Sequence, residues 1–210
     1  GGCLGLGVAL GMVQLLPTLE LVHWSERAGG VTQDFANEYQ YHLPDLLTFL
    51  VPFANGDPGQ GTYRTAGIFW EDYGYVGLLP LAAAAFAVAT GLRRDRTVRF
   101  FAAVGVVAGR VMLGDQAGLH WLAYRLLPGM DYFRFATRLV LIVDLCLCVL
   151  AGLGLHRLLA HPRAARLRPA WVAVACVALL VVDLFSTQRR LNPVVSRAEW
   201  ERPPATAEFI

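Results

Sequence analysis

The chain has 210 residues, of which 56% are hydrophobic and 16% are charged. Soluble domains average about 45–50% apolar residues with glycine included, and about 25% charged residues. The composition therefore excludes an ordinary soluble domain and indicates a membrane protein. All 18 basic residues are arginine, and the net charge of +2 is too small to predict nucleic-acid binding.

Five apolar segments are predicted to cross a membrane, since about 20 apolar residues cover the roughly 30 Å of bilayer hydrocarbon. The third is the weakest, because it is short and contains Arg110. The predicted fold class is thus all-α, a polytopic transmembrane helix bundle. Because the first segment starts at Gly1 inside an apolar run, we expect the chain to be part of a longer protein. The predicted spans are residues 1–16, 75–92, 98–113, 139–159 and 170–187.

The distribution of arginine predicts the orientation. Short arginine-rich connections stay on the cytoplasmic side of a membrane. Two such connections, residues 93–99 and 157–168, hold eight of the 18 arginines. The remaining connections are then extracytoplasmic, including a C-terminal region that starts at residue 188 and runs to 210.

The long predicted external loop, residues 17–74, carries eight acidic residues. A loop of this length usually has a function or carries structure of its own. Within it, the proline-bounded apolar stretch 44–52 is too short to span a bilayer and predicts an interfacial or re-entrant helix. We therefore assign residues 1–187 to a partial membrane domain that includes this external loop.

Three charged residues lie inside predicted spans at a similar depth: Arg110, Asp144 and Asp183. Charge within a bilayer is costly enough to indicate a functional site by default. Two interpretations stay open. Arg110 pairs with one of the aspartates and stabilises the bundle, or the three residues form the floor of an outward-facing polar cavity.

A second basic feature precedes the fourth predicted span. Arg134 and Arg138 are four residues apart at a predicted helix start, so they are expected to project from one face. Two guanidinium groups at an interface suit a phosphate or pyrophosphate. The alternative is that both side chains extend to lipid headgroups.

The sequence gives no evidence of a cofactor, and it leaves dependence on a divalent metal open. The four cysteines all lie in apolar stretches, where we expect them to pack as small hydrophobic residues. Two of them are two residues apart and would point in different directions on a helix, which argues against a shared metal ion. They are Cys3, Cys146, Cys148 and Cys176.

Several short motifs follow one another in a characteristic order. They are QLLPTLELVHWSER (14–27), YVGLLPL (75–81) with an acid shortly before it, LLPGMDYFRFATR (126–138), LAGLGLHRLL (150–159) and VDLFSTQRRLNP (182–193). This order resembles the YfhO-like family of bacterial membrane proteins. Members of that family are similar to the GT-C glycosyltransferases, which are multi-span enzymes of the cytoplasmic membrane.

The resemblance implies a function on the extracytoplasmic face. A sugar would pass from a polyprenyl-phosphate carrier to a cell-envelope polymer, with membrane lipid as the surroundings and no nucleic-acid partner. It implies Glu20 and Glu71 as catalytic acids, and Arg27, Arg134 and Arg138 as ligands of the lipid phosphate. GT-C enzymes generally place a catalytic acid in the first external loop, which we expect to lie upstream of this chain.

Other interpretations of the same residues remain open. Glu20 and Glu71 are alternatively solvated loop acids. The chain is alternatively part of a transporter or flippase, or of a catalytically inactive membrane scaffold. Internal two-fold repetition would favour a transporter, and none is visible in the sequence.

Overall fold

The computed structural model describes residues 2–25, 28–65, 67–117, 119–127, 130–132, 134, 136–160, 169–189, 191 and 196–202. All regular elements in these ranges are helical, with no strand, in agreement with the predicted all-α class. The α-helices are α1 (Gly2–His23), α2 (Gln33–Ala36), α3 (Leu78–Gly91), α4 (Arg96–Met112), α5 (His120–Leu126), α6 (Val140–Leu159), α7 (Pro169–Gln188) and α8 (Arg197–Trp200).

Three helical segments in the described ranges are long and apolar enough to span a membrane: Gly2–His23, Ala136–Leu159 and Ala170–Gln188. They correspond to the first, fourth and fifth predicted spans. The other two predicted spans correspond to α3, with 14 residues, and α4, with 17. At 1.5 Å per residue these helices are about 21 and 26 Å long, less than the roughly 30 Å of bilayer hydrocarbon. Five spans therefore remain a prediction.

Helix α1 extends further than predicted. The first predicted span ends at residue 16, but the helix continues through Pro17 to His23. A proline removes a single backbone hydrogen bond, and membrane helices tolerate that loss. The connection expected to begin at residue 17 therefore begins after His23, and Glu20 lies within α1.

Helix α3 begins three residues later than its predicted span. Gly77 precedes it with φ +98°, a backbone conformation that side chains other than glycine rarely adopt. Pro80 then lies in the first turn, where its missing N–H has no partner in the helix to lose. The proline predicted inside this span thus belongs to the start of the helix.

Contacts divide the chain into two compact units. Unit 1 comprises Gly1–Pro44 and Val104–Val143, and unit 2 comprises Asp45–Ala103 and Asp144–Ile210.

The core of unit 1 forms where the connection after α1 packs against the end of α4. Tyr41 and Met112 are almost fully buried, and the Tyr41 amide donates to the Met112 carbonyl over 2.9 Å. The Asn37 side chain donates to the Asp115 carboxylate over 2.7 Å. These bonds hold residues 28–44 against the segment that follows α4.

Helices α3, α4 and α6 form the core of unit 2, with Ala87, Val98 and Leu150 at its centre. The backbones approach closely at Gly154, where an added Cβ would lie 1.9 Å from the Ala83 carbonyl oxygen. Gly154 therefore allows close helix packing, which a larger residue would prevent.

An ion pair connects the end of α6 to the start of α4 in unit 2. Arg157 donates to the Asp95 carboxylate over 2.7 Å. Asp95 also accepts from the Thr97 amide at the start of α4, and this bond, followed by Arg157, lowers the pKa of Asp95. The two residues come from the two arginine-rich connections, so their contact agrees with the prediction that both connections lie on one side of the membrane.

The apolar stretch 44–52 forms a 3₁₀ helix, Leu43–Phe49. Its buried residues are two polar ones and Phe49: Asp45 accepts from the Asn55 side chain over 2.7 Å, and Thr48 donates to the Asp45 carbonyl. Its exposed residues are apolar, among them Leu47 and Leu50. A short helix with this pattern fits the predicted interfacial position.

Candidate functional site: a cationic pocket in unit 1

A cavity of about 300 Å³ lies in unit 1, where the Ala136–Leu159 segment begins. Two arginines and a histidine supply its polar groups, and the rest of its lining is apolar. Such a combination of an apolar wall and a few converging polar groups is typical of ligand sites. The lining residues are Ala36, His120, Met130, Arg134, Ala136, Arg138, Leu139, Leu141 and Ile142.

Aromatic rings and a carboxylate hold Arg134 in place. Its guanidinium carbon lies 4.4 Å from the ring centre of Phe35 and 5.2 Å from that of Tyr39. Arg134 also forms an ion pair with Glu38. Guanidinium groups bind aromatic faces favourably, and the rings restrict the side chain before any ligand arrives.

Arg138 lies in the short 3₁₀ helix Ala136–Leu139 that leads into α6. Its side chain is exposed and lines the same cavity. The neighbouring Thr137 amide donates to the Tyr39 carbonyl over 3.4 Å, which fixes this turn against the residues that hold Arg134. The structure thus brings the predicted arginine pair to one cavity, although Arg134 precedes the helical turn.

His120 is the third polar residue of the pocket. It is only 1% exposed, and its Nδ1 atom has no hydrogen-bond partner within the described part of the chain. Burial lowers the pKa of His120 below its usual value, and the nearby Asp115 carboxylate opposes this change. The imidazole is therefore neutral near pH 7, with one N–H donor and one acceptor nitrogen.

Two other predicted site residues, Glu20 and Glu71, are not among the residues that line this pocket. Glu20 is exposed on α1. Glu71 is half-buried in unit 2. Arg27 lies outside the residues that the structure describes.

Asp183 has a structural role in unit 2. Its carboxylate accepts hydrogen bonds from the Tyr75 hydroxyl over 2.7 Å and from the Leu78 amide over 3.1 Å. The second bond caps the start of α3, whose first amides have no partner within the helix. Burial, followed by the bond to Asp183, raises the pKa of Tyr75 to about 12, so the phenol stays protonated.

The other two charged residues of the predicted spans, Arg110 and Asp144, have different surroundings. Arg110 donates to the Ala117 carbonyl over 3.4 Å, within unit 1. In unit 2, Asp144 is half-buried, and its Oδ1 atom has no hydrogen bond among the described residues. Asp183 takes its hydrogen bonds from Tyr75 and Leu78, and not from the arginine that the sequence offered as a partner.

The sequence did not indicate His120, which lines the pocket, or Phe35 and Tyr39, which contact Arg134. Phe35 and Tyr39 are four residues apart around Glu38, a spacing that would have indicated a local cage for a cation. His120 carried no comparable signal, because a single histidine beside Trp121 gives no indication of burial.

Unit 2 contains a larger cavity of about 530 Å³ between α3, α6 and α7. Its lining consists of apolar side chains, small residues and two cysteines, among them Phe86, Gly152 and Cys176. It lacks the polar groups that orient a ligand for chemistry. The pocket of unit 1 is therefore the better candidate site.

No group of three or more His, Cys, Asp or Glu residues in the described ranges is placed to hold a metal ion. Comparisons with protein-family models, curated proteins and solved structures found no match. The pocket and the helices able to cross a membrane are therefore the features that bear on function.

Proposed function

We propose that the chain is part of an integral membrane glycosyltransferase of the GT-C type. In this proposal a sugar passes from a polyprenyl-phosphate carrier to a cell-envelope acceptor on the extracytoplasmic face of the bacterial cytoplasmic membrane. The observation that carries the proposal is the pocket of unit 1, where Arg134 and Arg138 line one cavity with apolar side chains.

The lining of the pocket favours an amphipathic anion. Arginine binds phosphate oxygens with charge-assisted hydrogen bonds, which are about twice as strong as neutral ones. Leu141 and Ile142, in the first turn of α6, supply apolar surface for the start of a hydrocarbon chain. A lipid phosphate has both parts, whereas a free sugar or a neutral lipid has one.

The arginines also fit the chemistry of the transfer. The acceptor hydroxyl oxygen attacks the anomeric carbon, and the bond from that carbon to the phosphate oxygen breaks with the electron pair on the phosphate. Arg134 and Arg138 would stabilise this departing charge. A carboxylate takes the hydroxyl proton, and Glu20, Glu71 or an upstream acid is the proposed base.

Glu38 has a different role in this proposal. Its ion pair with Arg134 neutralises part of the pocket's charge while the site is empty, and it competes with the phosphate for the guanidinium. We expect Glu38 to give up part of this interaction when the phosphate binds, while the rings of Phe35 and Tyr39 keep Arg134 in position.

The test is genetic and uses the full-length protein in its native host. Deletion of the gene should remove a sugar from the isolated cell envelope, and wild-type protein should restore it. Arg134→Ala and Arg138→Ala should each restore at most about a tenth of it, since each removes a charged hydrogen bond. Membrane levels of the variants should equal those of the wild type.

Arg125→Ala provides the matched control. Arg125 is an exposed arginine of the same unit that contacts the Trp121 ring, 4.5 Å from its centre, and is not part of the pocket. This variant should restore the sugar fully. An unchanged envelope after deletion would overturn the glycosyltransferase assignment, and full restoration by both pocket variants would overturn the site.

A further inference from the structure

The unpaired Nδ1 atom of His120 is the feature of the pocket that the proposed function has not yet used. Leaving a buried polar atom without a hydrogen bond costs about 1–3 kcal/mol. His120 is 1% exposed, so bulk water does not compensate that cost. A buried, unpaired group that lines a cavity is satisfied when the cavity fills with a ligand of matching chemistry.

We propose that His120 is a third ligand of the phosphate group bound in the pocket, donating a hydrogen bond from Nδ1 to a phosphate oxygen. This inference rests on the proposed function and adds a residue that the sequence did not indicate. His120 lies in α5, whereas Arg138 lies in the 3₁₀ turn before α6 and Arg134 lies just before that turn. The phosphate would thus be held from two elements of unit 1.

A neutral donor complements the two arginines. Arg134 and Arg138 supply the positive charge, and Glu38 offsets part of it. A neutral imidazole adds one hydrogen bond without adding charge, so the phosphate is oriented without a third cation that would slow its release. The Asp115 carboxylate lies near His120 and accepts a hydrogen bond from the Asn37 side chain. This bond has a structural role within unit 1.

The test measures binding of farnesyl phosphate, a short isoprenyl phosphate, to the full chain in lipid nanodiscs by calorimetry. Asparagine places its amide near the position of Nδ1, and glutamine places it near Nε2. We therefore expect His120→Gln to bind about tenfold more weakly or worse, and His120→Asn to stay within about threefold of the wild type. Equal affinities of wild type and His120→Gln would overturn the role of His120.

Two further ligands identify the source of the phosphate. Farnesol lacks the anion and inorganic phosphate lacks the chain, so both should bind at least about tenfold more weakly than farnesyl phosphate. Inorganic phosphate binding as tightly as the lipid would overturn the lipid assignment. Failure of the wild type to bind farnesyl phosphate would overturn the proposed function itself, which separates that failure from an error about His120.

A spectroscopic measurement covers the case in which a His120 variant does not fold. The wild-type chain contains five histidines, and ¹⁵N labelling of their side chains gives resolved imidazole resonances. Saturating farnesyl phosphate should shift the Nδ1 resonance of His120 as its N–H forms the new bond. An unchanged resonance at saturation would overturn the proposal.

Discussion

The two polar sites of this protein differ in what is left for a ligand. In unit 2, the Asp183 carboxylate uses both oxygens, one for the Tyr75 hydroxyl and one for the amide at the start of α3. In unit 1, Arg138 and His120 line a cavity, and His120 Nδ1 has no partner in the described structure. We call the first site closed, because both carboxylate oxygens already accept hydrogen bonds, and the second site open, because an unpaired nitrogen lies beside a cavity.

This difference separates structural charge from functional charge. A charged residue in an apolar segment is a candidate for function by default, and Asp183 met that criterion in the sequence. Its hydrogen bonds show that it caps a helix and joins α3 to α7 instead. The criterion that selects the pocket is unused hydrogen-bonding capacity beside a cavity, which requires coordinates.

The largest expected effect is a loss of stability when the Asp183 carboxylate is removed. Asp183→Ala leaves the Tyr75 hydroxyl and the Leu78 amide without their acceptor, and should lower the free energy of unfolding by about 2–4 kcal/mol. Thermal unfolding of the full chain in detergent measures the change. Asp183→Asn keeps one acceptor oxygen and should lose about half as much. Equal melting temperatures of Asp183→Ala and the wild type would show that the hydrogen bonds of Asp183 do not stabilise the fold.

The smallest expected effect is a change in the affinity for farnesyl phosphate when Glu38, beside the pocket of unit 1, loses its charge. Glu38→Gln removes the charge that competes with a phosphate for Arg134, while Phe35 and Tyr39 still hold the guanidinium. Farnesyl phosphate should bind about two- to fivefold more tightly, since a partly exposed ion pair is worth up to about 1 kcal/mol. Weaker binding by Glu38→Gln would mean that the carboxylate, and not the aromatic pair, positions Arg134.

The sequence predicted the existence of the long helices. It placed the boundaries of α6 and α7 within a few residues, but not the end of α1 or the start of α3. The segments around α6 and α7 were located within a few residues because nothing in them competes with the apolar pattern. The first predicted span ends before Pro17, whereas α1 accommodates this proline and continues to His23. The start of α3 was missed because its cap, Asp183, lies 105 residues away in the chain, and local patterns contain no information about such a partner.

The candidate site was predictable to a similar extent. The spacing of Arg134 and Arg138, together with the predicted helix start, indicated a shared anion site, and both residues line one cavity. The role of Asp183 and the burial of His120 depend on tertiary packing, which composition and periodicity do not encode. Within their own units, Arg110 donates to the Ala117 carbonyl and Asp183 accepts from Tyr75 and Leu78, and a polar cavity shared by the three charged residues stays a prediction.

The most direct test of the distinction compares the affinity of farnesyl phosphate for Arg138→Ala and Asp183→Asn, both in nanodiscs and side by side with the wild type. The open pocket predicts a loss of about tenfold or more for Arg138→Ala, and a change of less than about twofold for Asp183→Asn. Unchanged affinity in Arg138→Ala, or an equal loss in Asp183→Asn, would contradict the assignment of one site to binding and the other to structure.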